Sequence, residues 1–171
     1  MAPPSIDLVV VDQGASPLGY HHAAPVHRFA LVAADAASLA PPVGPYFAET
    51  TQLEHRHPET GRKHRKAKRV PVPGAAPGTV AFLDWHHLAT NRYGGDDPTV
   101  AIDYMAVRPD MRGKRISSAM VGAFFTRVVL PARATSVEWG EVWSPEVWHL
   151  FGQMRSKYPE VRQYGKPMGR F

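Results

Sequence analysis

The sequence predicts an α/β (α+β) domain, on three observations. From residue 79 onward the readable segments run strand, strand, helix, strand, helix. Residues 98–124 pass from an apolar strand through a basic, glycine-bearing loop into a helix. The 171 residues suit one domain with a core of ordinary size, and no internal repeat divides them.

Taken in order, Ile6–Val11 is an apolar, mostly β-branched run interrupted only by Asp7, and it reads as a short buried strand. Residues 12–27 are turn-rich. Phe29–Ala34 fits a strand, or a helix continuing through Ala36–Leu39; periodicity does not separate the two. Pro41, Pro42, Gly44 and Pro45 break whatever precedes them. Tyr46–Leu53 is undecided, and residues 55–77 form a basic insertion, either a long exposed loop or the tip of an extended hairpin.

Order then improves. Thr79–Trp85 is a strand, Asn91–Pro98 carries turn chemistry, and Val100–Val107 is a second strand antiparallel to the first. Residues 113–130 predict a helix with Ile116, Ala119, Met120, Ala123, Phe124 and Val128 on one stripe, stopped by Pro131. Val137–Val142 is a strand. Ser144 is a natural N-cap with Pro145 in the first helical position. Val147, Leu150, Phe151, Met154 and Tyr158 then line one helix face up to Pro159.

Composition narrows the chemistry. The chain has no cysteine, which excludes disulfides, Cys-ligated zinc and thiol catalysis. MAPPSIDLVVVD has no basic lead-in and does not read as a signal peptide, and no apolar stretch is long enough to cross a bilayer. A soluble cytoplasmic protein is expected. Of the 20 Lys and Arg residues, seven lie within 56–69, opposed there only by Glu59; the rest of the chain carries 13 basic and 14 acidic residues. The positive excess thus belongs to one segment, which suits phosphate-rich or acidic partners and allows a nonspecific nucleic-acid contact through Arg56–Arg69. That segment has no Phe, Tyr or Trp to stack on bases. Nine histidines are present, but His55-x-His57 is too short a pattern for a metal site, and no metal is expected.

The decisive segment is Met111-Arg112-Gly113-Lys114-Arg115-Ile116-Ser117 after Val107-Arg108-Pro109. A strand leading through such a loop into a helix makes an anion cradle, because the first helical amides lack partners and the dipole is positive there. The segment resembles the acetyl-CoA signature of the GCN5-related N-acetyltransferases: Arg or Gln, two free positions, Gly, one free position, then Gly or Ala. Arg112 matches the first position and Ser117 is a small substitute at the last. Arg115 stands where the family has Gly, and its guanidinium is able to pair with phosphate.

The resemblance covers roughly the last 90 residues. It implies a twisted mixed β-sheet flanked by helices, with a shortened C-terminal hairpin, since at most one strand fits after the last helix. It also implies acetyl-CoA as co-substrate and an unidentified amine as acceptor, and the dense positive charge of Arg56–Arg69 favours an anionic or macromolecular one. By position, backbone groups of Met105, Ala106 and Val107 would pair with pantetheine. The amides of Gly113, Lys114, Arg115, Ile116 and Ser117 would hold the pyrophosphate, with Arg112 beside them.

Acyl transfer to an amine needs a base, oxyanion donors and an acid for the leaving thiolate. The position of the family's basic Glu is Ala101 here. Asp103 lies two residues on, on the same strand face, and is the candidate base, with Glu138, Glu141, His86 and His87 as competitors. The family's acidic Tyr falls on Phe151, which has no proton to give. Ser144 and Tyr158 are the remaining candidates, Tyr158 also reading as a packing or capping residue. Two alternatives stand beside this reading. One is a nucleic-acid base-modifying enzyme resembling the phage branch of the superfamily. The other is a non-catalytic basic protein that binds nucleic acid.

Overall fold

The computed structural model describes residues 7–17, 24–35, 39, 48–56, 59–61, 63–71, 76–89, 95–142 and 144–169, with 48–56 and 63–71 described through their backbone. The expected breakers Pro41, Pro42, Gly44 and Pro45, the residues 91–94, Arg62, and His21, His22 and His57 lie outside these residues. In chain order the elements are β1 (Leu8–Ala15), β2 (His27–Ala33), β3 (Ala48–Arg56), β4 (Lys63–Pro71), β5 (Thr79–Leu88), β6 (Thr99–Val107), α1 (Ile116–Phe124), β7 (Ser136–Val142), α2 (Pro145–Lys157) and β8 (Arg162–Pro167).

Six strands form one mixed sheet in the order β1-β2-β5-β6-β7-β8, and β3-β4 form a separate two-stranded sheet. The first four strands of the large sheet pair antiparallel, whereas β6–β7 and β7–β8 pair parallel. Parallel neighbours need a crossover, and α1 and α2 supply the two crossovers. The α+β class and the antiparallel β5–β6 pair therefore agree with the expectation. A single strand follows α2, as expected, but β8 runs parallel to β7, because α2 returns the chain to the same end of the sheet, so among the described residues no C-terminal hairpin forms.

One sheet face and both helices share a core. Phe29, Leu31, Leu83, Trp85, Val100 and Val137 pack against Met120, Phe124, Phe125, Leu150, Phe151 and Met154. Eight successive residues of β5, Thr79 to His86, are buried, so this strand is covered on both sides and reads as a continuous run, not an alternation. On the opposite face Ala30 and Phe82 pack with Val32, Tyr104 and Ala106. The same face buries an ion pair: Arg28 donates to Asp84 at 2.8 and 3.0 Å, and Ser16 Oγ donates to Asp84 Oδ2 at 2.6 Å. The Arg28 guanidinium lies 3.7 Å above the Phe82 ring, so charge, hydrogen bonds and π face are all partnered.

The helix read over 113–130 is shorter. Gly113 and Arg115 have left-handed backbone (φ +77° and +58°), so α1 starts at Ile116. Its C-terminal part widens into a π-helical turn, Phe125–Val129, with Leu130 N–H donating to Phe125 O at 2.9 Å. Thr126 Oγ1 donates to the Gly122 and Ala123 carbonyls nearby. Ser144 caps α2 as expected, its Oγ accepting from Val147 N–H at 3.1 Å. Within the undecided Tyr46–Leu53 and the basic insertion 55–77, the described residues 48–56 and 63–71 pair as the β3–β4 ribbon.

Candidate functional site

The site begins where two strands part. β6 and β7 pair only over Thr99–Ala101 against Ser136–Glu138. Beyond that point β6 continues against β5 as far as Val107, while β7 continues against β8. The unpaired edges open a cleft of about 670 Å³. One wall is Tyr104, Met105, Ala106 and Val107 of β6; the other is α2, through Ser144, Glu146, Val147, His149, Leu150 and Gln153. The end of the cleft is closed by Met111, Arg112 and Gly113 of the loop and by Arg115, Ile116, Ser117 and Ser118 at the start of α1.

The loop is held in place by its own side chains. Arg108 is buried, its Nε lying 2.7 Å from Asp110 Oδ1 across the Pro109–Met111 turn. Arg112 Nε donates to Val107 O at 3.3 Å, tying the loop back to the strand end. Gly113 meets nothing within 4 Å of where a Cβ would be, so only its φ of +77° demands glycine there. Arg115 takes a left-handed conformation with a full side chain, at a cost of roughly 1–2 kcal/mol. No side chain caps α1 and its first turn holds no acidic residue, so the positive helix end is not neutralised locally.

Eight of the nine expected cofactor-binding residues line this cleft: Met105, Ala106, Val107, Arg112, Gly113, Arg115, Ile116 and Ser117. Lys114 does not; its Nζ sits 3.9 Å from Met111 Sδ. Of the candidate catalytic residues, Ser144 lines the cleft. Asp103 adjoins it, one residue before Tyr104. Tyr158 is elsewhere: it is 7% exposed, stacks on Phe125 with centroids 4.7 Å apart, and closes α2 with its N–H on Met154 O. Its role here is packing and capping. Phe151 is likewise in the core, between Trp139 and Trp148, and a Cβ on Gly165 would come within 3.3 Å of its ring.

Asp103 meets a histidine of the neighbouring strand. Its Oδ2 lies 2.7 Å from Nδ1 of His86, with the two side chains 9% and 8% exposed. The pairing follows from a bulge. Asp84 aligns with Tyr104 but Trp85 with Ile102, so Asp103 is an extra residue in β6. Val100 and Ile102 face the helices, yet Tyr104 and Ala106 face away, so the alternation slips at Asp103. Asp103 and Tyr104 thereby share the opposite face with His86.

Of the competitors, His86 is thus Asp103's partner, and the other three lie at other positions of the sheet. Glu138 is half-buried in register with Ala101, Glu141 is exposed opposite Lys166, and His87 is exposed with its ring 5.0 Å from Trp85. Among the described residues no group of three His, Asp or Glu side chains converges as a metal site, and no helix is long and apolar enough to cross a membrane.

Sequence reasoning missed Glu146, His149 and Gln153 as cleft residues. Their signal was helical spacing: positions 146, 149, 150 and 153 form the face beside the apolar stripe. It also weighed His86 and Asp103 separately without pairing them. No protein-family model, curated protein or solved structure matches this chain.

Proposed function

We propose that the protein is an acetyl-CoA-dependent N-acyltransferase of the GCN5-related type, acting in the cytoplasm on an amine acceptor. The observation that carries this reading is the cleft between the parted strands β6 and β7, which ends on an uncapped helix N-terminus flanked by Arg112 and Arg115. An extended pantetheine arm needs a free strand edge, and a pyrophosphate needs free amides with positive charge beside them. The cleft offers both, in that order along its length.

The pyrophosphate would lie against Gly113–Ser117 and the arm along Val107, Ala106 and Met105. The thioester would then sit near Tyr104, next to the Asp103 bulge. There the Asp103 carboxylate accepts from His86 Nδ1–H, which makes Nε2 the acceptor nitrogen of the ring. The acceptor amine attacks the thioester carbonyl, the nitrogen–carbon bond forms and the carbon–sulfur bond breaks. The ammonium proton passes to the His86–Asp103 pair and the CoA thiolate leaves. Ser144, across the cleft, is the candidate group for returning a proton to sulfur.

Titration calorimetry of the full chain with acetyl-CoA tests the reading. Binding in the micromolar range with one site per chain is expected. No heat at millimolar acetyl-CoA would remove the enzyme reading and leave that of a binding protein.

A further inference from the structure

We propose that the β3–β4 ribbon is an arm that binds duplex DNA through its phosphates, with one face of the ribbon making the contact. The ribbon is a sheet of its own, with nine continuous antiparallel pairs from Ala48–Pro71 to Arg56–Lys63. Opposed residues of an antiparallel pair share a face and successive residues alternate. The register therefore places Arg56, Lys63, Arg65 and Arg69 on one face, with Glu54 their only acidic neighbour there. The other face carries Lys66 and Lys68, set against Glu49.

Charged residues, lysine above all, also protect an exposed edge from pairing, but that role does not call for three arginines, Arg56, Arg65 and Arg69, on one face of the ribbon. Here all five charged residues of β4 are positive, and residues 48–71, with seven basic and three acidic residues, carry four of the chain's five net positive charges. Residues two apart on a strand are about 6.8 Å apart, and a strand of this length spans about 27 Å, the rise of about eight base pairs. A two-stranded ribbon fits the major groove of B-DNA, whereas the deep, narrow groove of duplex RNA does not admit it. The lack of Phe, Tyr and Trp in 48–71 disfavours single strands, whose binding rests on stacking. The inference does not depend on acyl transfer; if both hold, the arm brings a polynucleotide, or something bound to it, to the enzyme.

The test is fluorescence anisotropy of a labelled DNA duplex two helical turns long, titrated with the full chain in the absence of acetyl-CoA. Binding should weaken about a hundredfold between about 50 and about 200 mM salt, a log–log slope of about −3 to −4 for four phosphate contacts. Lys63→Glu/Arg65→Glu/Arg69→Glu should lose at least a hundredfold in affinity, and Lys66→Glu/Lys68→Glu tenfold or less. An unchanged thermal midpoint shows that each variant is folded. Should the triple Glu variant misfold, Lys63→Gln/Arg65→Gln/Arg69→Gln should lower the salt slope by about 3. Absent binding at low salt, equal losses in the two charge-reversal variants, tighter binding to single strands, or equal binding to anionic lipid vesicles would each overturn the proposal. Because acetyl-CoA is absent, failure of the enzyme reading leaves these outcomes unaffected.

Discussion

Asp103 Oδ2 and His86 Nδ1 stand 2.7 Å apart on neighbouring antiparallel strands, both side chains more than nine-tenths buried. A bulge aims Asp103 at the imidazole, and the residue after it, Tyr104, begins the cleft wall. The pair thus joins a buried sheet face to the expected acyl end of the site.

His86→Asn should lower kcat by about a hundredfold or more, the usual worth of a positioned base, while acetyl-CoA affinity changes less than twofold. Asp103→Asn keeps an acceptor oxygen for Nδ1–H, so its stability loss should stay near about 1 kcal/mol. If Asp103 only positions the ring, kcat in Asp103→Asn should fall less than in His86→Asn. Steady-state kinetics on an acceptor found by screening labelled acetyl transfer, beside urea unfolding, separates these effects. Full activity in His86→Asn would return the base role to another group.

Arg115→Gly should move stability and binding in opposite directions. Removing the side chain from a left-handed position should stabilise the fold by roughly 1–2 kcal/mol. Losing a guanidinium at the phosphate end should weaken acetyl-CoA by roughly 1.5–3 kcal/mol. Urea unfolding and calorimetry read the two effects separately. Tighter cofactor binding would show instead that Arg115 obstructs the cradle.

Arg112→Ala should weaken acetyl-CoA by a similar amount and loosen the loop, since Arg112 also ties the loop to Val107 O. Gly113→Val should lose binding through backbone strain alone, at a stability cost of roughly 1–2 kcal/mol, because open space surrounds the position. Calorimetry on both variants checks the assignment, which unchanged affinity in both would refute.

Ser144→Ala should cost about 1 kcal/mol by removing the cap on Val147 N–H. Ser144→Asp caps equally well yet offers no hydroxyl. Activity lost in both variants assigns Ser144 to proton transfer; activity restored in the Asp variant assigns it to capping.

Asp84→Ala should be among the most damaging substitutions, at about 3–5 kcal/mol, because it leaves the Arg28 guanidinium charged in a site where Arg28 and Asp84 are 1% and 0% exposed. Thermal unfolding measures it. Asp84→Ala/Arg28→Met, which removes both charges, should recover much of the loss.

Where local chemistry decided structure, the sequence by itself determined it. Ser144 before Pro145 fixed the start of α2, the apolar stripe fixed its buried face, and the largely apolar run 79–85 fixed β5. The basic loop between β6 and α1 was legible because free helix amides and positive charge are local properties. Tertiary structure alone decided what depends on pairing. The polar alternation of 48–71 offers no buried face to distinguish hairpin from loop, so only the paired backbone revealed the ribbon. The direction of β8 depended on which end of the sheet α2 returned to, which no residue of Arg162–Pro167 encodes. The meeting of His86 with Asp103 required a register and a one-residue bulge, and a strand read alone contains neither.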